Sequence, residues 1–239
     1  MSVLLAEGLE KKFKAAKSFE IIFKKINLRL ESGDIFCLLG ANGSGKTTLL
    51  RTLLGIYPPD SGKTLFFGKP LCDEIKNKIG YLEDQVPAFP FLTVKGYLDL
   101  SLRLFGYGAG ERKQKAERAL ERVGLLKFHS KSLSVLSRGM SRRLGLAQVI
   151  CHDPGLLILD EPVEGLDLEG LVFFRKYLAE CRDQKKTVLL TTHLFSEIRE
   201  FSNRAAILQD GELTEDPALI HECFARITER LVPGRNAAQ

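Results

Sequence analysis

Gly40-Ala41-Asn42-Gly43-Ser44-Gly45-Lys46-Thr47-Thr48 decides the reading of this chain. A short apolar run, Ile35 to Leu39, leads into it and has the length of a buried strand. The segment that follows, Lys46 to Leu54, carries Leu49, Leu50, Leu53 and Leu54 on one helical face. A glycine-rich turn between strand and helix has a particular chemistry. Gly40, Gly43 and Gly45 let the backbone curl, so that successive N–H groups point inward at an anion. The helix start adds its unpaired N–H groups and its dipole. Lys46 supplies a full charge for the outer phosphates of a nucleotide. The Thr47 hydroxyl is a hard oxygen ligand suited to Mg²⁺. Asn42, Ser44 and Thr48 complete the phosphate cradle. At average composition, chance produces such a match in roughly 1% of chains this long. The strand before and the helix after remove most of that remainder.

A second stretch answers the first. Leu156-Leu157-Ile158-Leu159-Asp160-Glu161-Pro162 is an apolar strand that ends in two carboxylates. Side chains at the C-terminal end of a parallel strand face the crevice where ligands bind. Asp160 is placed to hold the shell of a Mg²⁺ ion, and Glu161 to polarise a water against a terminal phosphate.

Outward from these two points, the chain alternates strands and helices. Alternating Ile21, Phe23, Ile26, Leu28 and Leu30 predict early strands facing a core. Further strands are expected at Lys63 to Phe67, Thr187 to Thr192 and Ala205 to Gln209. A helix is expected near Leu168 to Cys181, and another after Thr192. Between the halves, about residues 93–153 read as a mostly helical insert. The pattern predicts an α/β fold with a phosphate-loop core, a mostly parallel sheet and an N-terminal antiparallel β portion. The expected domain is 1–213, followed by a helical tail, 214–239, with Pro217 to Leu231 amphipathic.

Composition excludes several classes. The chain has 239 residues, 44% hydrophobic and 27% charged, with a net charge of +5. That charge is too mild for a nucleic-acid binder, and the basic runs Lys11–Lys12, Lys24–Lys25 and Arg142–Arg143 are short. They read as solvated surface. The five cysteines are odd in number and contain no Cys-x-x-Cys, so most are expected to be small buried hydrophobes in a reducing compartment. No secretory leader is recognisable at the N-terminus. No run approaches the ~20 apolar residues that span a bilayer. The expected place is the cytoplasm, and any membrane part must come from another chain.

With these residues in hand, the chain resembles the ABC (ATP-binding-cassette) ATPases over about residues 3–213. Leu136-Ser137-Arg138-Gly139-Met140 is similar to the family's signature loop, and opens a helix read as Ser141 to Ile150. Gly165-Leu166-Asp167 sits where the family has its D-loop, and His193 where it has its switch histidine. Phe13 falls where an aromatic stacks on adenine, although a core or edge phenylalanine reads nearly as well. The family's Q-loop glutamine maps to Asp84 or to Gln85, and either offers the metal or water an oxygen. The departures are Arg138 and Met140 in the signature loop and Val163 and Glu164 before the D-loop.

The resemblance implies ATP and Mg²⁺ as ligands, with Glu161 and His193 catalytic. It implies that two cassettes pair head to tail. ATP then lies between the phosphate loop of one and the Ser137–Gly139 loop of the other. It also implies a separate transmembrane permease chain and peripheral attachment to the cytoplasmic membrane face. That chain is expected to dock beside residues 84–105, because the loop Asp84 to Leu92 carries Val86, Ala88, Phe89 and Phe91, an apolar content unusual for a surface connection. Two other readings stand beside it. A soluble ABC ATPase acting on DNA or the ribosome normally brings a long coiled coil or two cassettes per chain. A degenerate nucleotide-binding scaffold would have lost Lys46, Asp160, Glu161 or His193, and this chain keeps all four.

Overall fold

The computed structural model describes residues 2–14, 18–84, 89–193 and 199–215. Two sheets lie in it. In the first, β1 (Ser2–Lys14) is the middle strand, antiparallel to β2 (Phe19–Glu31) and to β4 (Ser61–Phe66). The second runs in the order β5 (Ile79–Leu82), β6 (Leu156–Leu159), β7 (Thr187–Thr192), β3 (Ile35–Leu39), β8 (Arg204–Gln209) and β9 (Glu212–Thr214). From β5 to β8 every pairing is parallel, and only β9 turns back antiparallel.

All five residues of β3 are buried because both faces of the strand are covered. Phe36 and Leu38 enter a core shared with the antiparallel sheet and helix α1 (Lys46–Leu53). Ile35, Cys37 and Leu39 point the other way, into a core shared with α5 (Arg138–Ile150) and α6 (Leu168–Asp183). This burial pushes the Cys37 thiol up to about 12, so it stays a neutral, inert hydrophobe. A third core belongs to the helical insert. There α3 (Val94–Leu104) and α4 (Ala109–Arg122) pack Leu98, Leu102, Ala116 and Leu120 against Leu144 and Ala147 of α5. Thr93 caps α3 and accepts the Gly96 N–H at 3.0 Å, where the insert was expected to begin.

Several elements depart from the sequence reading. The strand β1 was not singled out, because its apolar residues do not alternate. Register shifts at Ala6/Leu9 and Leu9/Lys11 explain that irregularity. A further shift between Lys11 and Lys12 breaks the alternation on β2: Phe23 is fully buried while Ile21 is 51% exposed. Of the three basic runs, Arg142–Arg143 is not solvated surface, and in Lys11–Lys12 only Lys12 is exposed. Lys11 is buried and donates to the Pro58 carbonyl at 2.7 Å. Arg142 and Arg143 are both 4% exposed. The helix expected after Thr192 and the tail beyond residue 215 lie outside the described residues, as does Gln85. Of the cysteines, Cys37, Cys151 and Cys181 are buried and Cys72 is exposed. Among the described residues no helix is long and apolar enough to cross a membrane.

The join between sheet and insert is tight at Gly80 in β5. A methyl group there would sit 2.8 Å from Val149 Cγ1 and from the Val149 carbonyl, and 2.9 Å from Pro154. Gly80→Ala should therefore push α5 off β5 and cost about 1–3 kcal/mol, the usual range for an overpacked core. A urea unfolding curve checks it; a midpoint equal to the parent's would show that the contact yields freely.

Candidate nucleotide site

The parallel strands β3, β6 and β7 all end at the same edge of the sheet. Their exits bring three pieces of sequence together. The β3 exit is the glycine-rich loop. Gly43 and Gly45 have φ of 83° and 98°, a region that only glycine visits freely. A side chain at Gly45 would also meet Ile22 of β2 at 2.8 Å, so the antiparallel sheet lies against the loop. Ser44 donates its N–H to the Ala41 carbonyl at 3.1 Å, which closes the curl. Lys46 follows at the start of α1 and turns back over the loop. Its ammonium donates to the carbonyls of Gly40 at 2.8 Å and Ala41 at 3.2 Å, and stands 3.5 Å from Glu161 Oε1.

The β6 exit carries the carboxylates. Because β6 and β7 pair in parallel with Leu159 opposite Leu190, the next residues, Asp160 and Thr191, come side by side. The Thr191 hydroxyl donates to Asp160 Oδ1 at 2.6 Å and accepts the Glu161 N–H at 2.8 Å. Glu161 itself has φ 45°, rare for a non-glycine residue and the kind of strain that collects at functional sites. Its other oxygen, Oε2, meets the His193 N–H at 3.2 Å and His193 Nδ1 at 3.0 Å. Lys46, Glu161 and His193 thus form one continuous cluster, with Glu164 close to both Glu161 and His193.

These residues fit a nucleotide with its cation. Asp160 is fully buried, and its Oδ2 has no hydrogen-bond partner. A buried carboxylate oxygen in that state calls for a cation or a donor. The Ser44 hydroxyl is likewise buried without a partner at the neck of the loop. Asp160, Thr47 and a phosphate oxygen make the hard, all-oxygen donor set that Mg²⁺ prefers.

The remaining expected residues lie elsewhere. Ser137 caps α5, accepting the Met140 N–H at 3.2 Å, so the helix begins at Arg138, three residues earlier than expected. A methyl at Gly139 would touch Asp167 at 2.9 Å. Asp167 caps α6 through the Gly170 N–H and pairs with Arg143 at 3.1 Å. The signature-like loop and the D-loop therefore pack against each other, and Glu164 links them to Glu161 and His193. Arg138 and Glu164, two departures from the family pattern, pair with each other there at 3.3 Å. Asp84 is exposed, and its backbone carbonyl accepts from Arg142 at 2.7 Å. Phe13 is 38% exposed near the end of β1, edge-on to Tyr57 at 5.5 Å.

Thr191 and Arg142 were missed from sequence. Thr191 had a usable signal, a polar residue at the end of a fully buried parallel strand. Arg142 had none, since an arginine pair on a helix ordinarily faces water.

A family model described as ABC transporter matches residues 23–164. The chain belongs to this family. An ABC transporter ATP-binding protein of Nostoc sp., itself uncharacterised, is 37% identical over 89% of this chain, which spans 65% of that protein's length. The SkfA peptide export ATP-binding protein SkfE of Bacillus subtilis is 31% identical over 90% of this chain and 89% of its own. Among solved structures, a dimeric ATP-binding cassette in a post-hydrolysis state with ADP and Pi superposes with a TM-score of 0.79. It covers 89% of this chain and 98% of that one at 24% identity, which speaks for the fold.

In this ABC protein Thr191 joins two neighbouring groups, and its loss should be felt at both. Thr191→Val keeps the shape but strands the Glu161 N–H in the core. The expected cost is about 1–3 kcal/mol for the unsatisfied group, read by chemical denaturation. Unchanged stability would mean that another acceptor reaches that N–H.

Proposed function

We propose that this chain is the ATP-hydrolysing motor subunit of an exporter-type ABC transporter, working as a pair of cassettes on a separate membrane chain. The observation that carries the hydrolytic reading is the Lys46–Glu161–His193 cluster beside a buried, half-partnered Asp160. Among relatives, the printed name of SkfE, peptide export, supports the transport direction.

The chemistry follows from what each residue offers. The loop N–H groups and Lys46 bind the phosphates and orient the terminal one for in-line attack. Mg²⁺, held by Thr47 and Asp160, supplies charge neutralisation there when bound. Glu161 accepts a proton from the attacking water. Two donors from His193 occupy Glu161 Oε2, which leaves Oε1 for that water once Lys46 turns to the phosphates. In the proposed two-fold pair, Ser137 and Gly139 serve a nucleotide held by the second cassette. Phe13 stacks on the adenine, and Asp84 or Gln85 serves as the Q-loop residue.

Glu161→Gln tests this. It should still bind ATP but slow turnover by roughly 10²-fold or more, the range for a lost general base. It should also accumulate an ATP-dependent dimer in size-exclusion chromatography. A monomeric variant with parental phosphate release would sink the reading.

The membrane chain is proposed to dock where the core meets the insert. Of the aromatics there, Phe89 is half-buried with its ring 6.2 Å from that of Tyr97, so it packs the insert together. Phe91 is different: it is 80% exposed, as is Leu104 at the end of α3. Val86 and Ala88 lie outside the described residues. Phe91→Asp should therefore lower the share of the chain recovered with the membrane fraction of its own cells by several-fold. ATP affinity of the isolated subunit should stay at the parental value. Undiminished membrane recovery would remove this surface.

A further inference from the structure

Arg142 lies on α5, beyond the Ser137 cap, with its guanidinium inside the protein. Its Nη1 donates to the carbonyls of Glu83 at 2.6 Å and Asp84 at 2.7 Å. Its Nη2 donates to the carbonyls of Asp160 at 2.6 Å and Glu161 at 2.7 Å. Two loops thus meet on one side chain. Glu83 and Asp84 leave β5, and Asp160 and Glu161 leave β6. The last ladder bond between those strands is Asp160 N–H to the Leu82 carbonyl at 2.9 Å. Beyond it the chains part, and the planar fork of the guanidinium spans the gap.

A structural staple would not need a full charge here. Arg142 is 4% exposed, makes no ion pair shorter than 4.0 Å among the described residues, and leaves its Nε without a partner. Burial lowers its pKa, while the nearby carboxylates of Asp84 and Asp160 push back. A neutral side chain of similar length would avoid that desolvation. What arginine supplies is four donated bonds in a fixed plane, two of them to the residues that carry the site's two carboxylates. One of these, Glu161, holds a left-handed φ of 45°, and its backbone is pinned from both sides: the N–H by Thr191 and the carbonyl by Arg142. Such strain persists only where the surroundings over-determine it.

We propose that Arg142 is a positioning residue for hydrolysis. It sets Asp160 and Glu161 from the signature-bearing helix, and it couples their placement to the loop at Glu83–Asp84. A shift of α5 relative to the sheet moves the Arg142 fork, and with it the carbonyls on either side of the catalytic carboxylate. The position of Ser137, at the start of the same helix, and the aim of Glu161 are then set together. This rests on the ATPase reading.

The test compares Arg142→Met, which has no donors, with Arg142→Gln, which has two, and Arg142→Lys, which has three. Steady-state phosphate release and fluorescent ATP-analogue binding are measured on the full chain, with melting temperature as the control for folding. A misplacement near 1 Å can cost ~10²-fold in rate. Arg142→Met should therefore lower kcat by at least ~10-fold while KM for ATP and analogue affinity stay within about threefold of the parent. Arg142→Lys should recover part of kcat, with Gln between Lys and Met. If Met fails to fold, Lys and Gln against the parent carry the same comparison. Parental kcat in folded variants would overturn the proposal, as would kcat and nucleotide binding falling together in step with the folded fraction. A parent that binds ATP and releases no phosphate would overturn the ATPase reading and this inference with it. A working parent beside indifferent variants would overturn this inference alone.

Discussion

Parallel register is the constraint on which the site depends. With Leu39 opposite Thr192 and Leu159 opposite Leu190, β3 and β7 end level and β6 leaves the sheet two residues earlier at the same edge. The candidate site then gathers at one edge of the sheet: the glycine-rich curl, the two carboxylates, the threonine that joins the Asp160 carboxylate to the Glu161 N–H, and the histidine. A slip of one residue in β6 would turn Asp160 to the opposite face. The apolar runs Ile35–Leu39 and Leu156–Leu159 prevent that slip. Both faces of the strands are filled, so each side chain has a pocket on one side only. The geometry of the site is held by hydrophobic burial in the strands that lead into it.

Charge is distributed accordingly. The site's cations are not free of partners among the described residues: Lys46 rests on two carbonyls and Glu161, and Arg142 on four carbonyls. Each buried charge is matched by dipoles or an opposite charge, as low dielectric demands. One oxygen of Asp160 is buried and without a partner among the described residues. A dicationic ligand would correct that imbalance, and the imbalance lies next to the phosphate loop.

The fold was legible in sequence wherever burial is two-sided and continuous. The strands Ile35–Leu39, Leu156–Leu159 and Thr187–Thr192 agree with their reading to the residue. Half-buried strands were harder. On β2, Ile21 and Phe23 have the same parity yet opposite exposure, because a shift of register lies between their partners on β1. The site was legible where one residue type is the chemistry, as at Lys46, Asp160 and Glu161. It was not legible where a residue acts through backbone atoms. Arg142 bonds only carbonyls, and carbonyls leave no trace in composition or spacing. Arg143 is similar, since its partners Val123, Asp167 and Glu169 are brought to it by the tertiary fold.

The histidine adds a proton constraint. A carboxylate oxygen only accepts, so His193 Nδ1 must carry the hydrogen in its bond to Glu161 Oε2. In the neutral ring Nε2 is then an acceptor, and it repels a phosphate oxygen rather than holding it. His193 can bond both Glu161 and a phosphate only as an imidazolium. Otherwise the ring must leave Glu161 first, and the His193 N–H, at 3.2 Å, is then the contact that remains on Oε2. Lys46 faces the same choice on the other side, since an incoming phosphate competes with Glu161 for its ammonium. Both neighbours of Glu161 are therefore groups that a phosphate attracts. On the proposed reading, binding the anion and freeing Glu161 are coupled by this geometry, and Glu161 is kept in place through that exchange by its backbone contacts to Thr191 and Arg142.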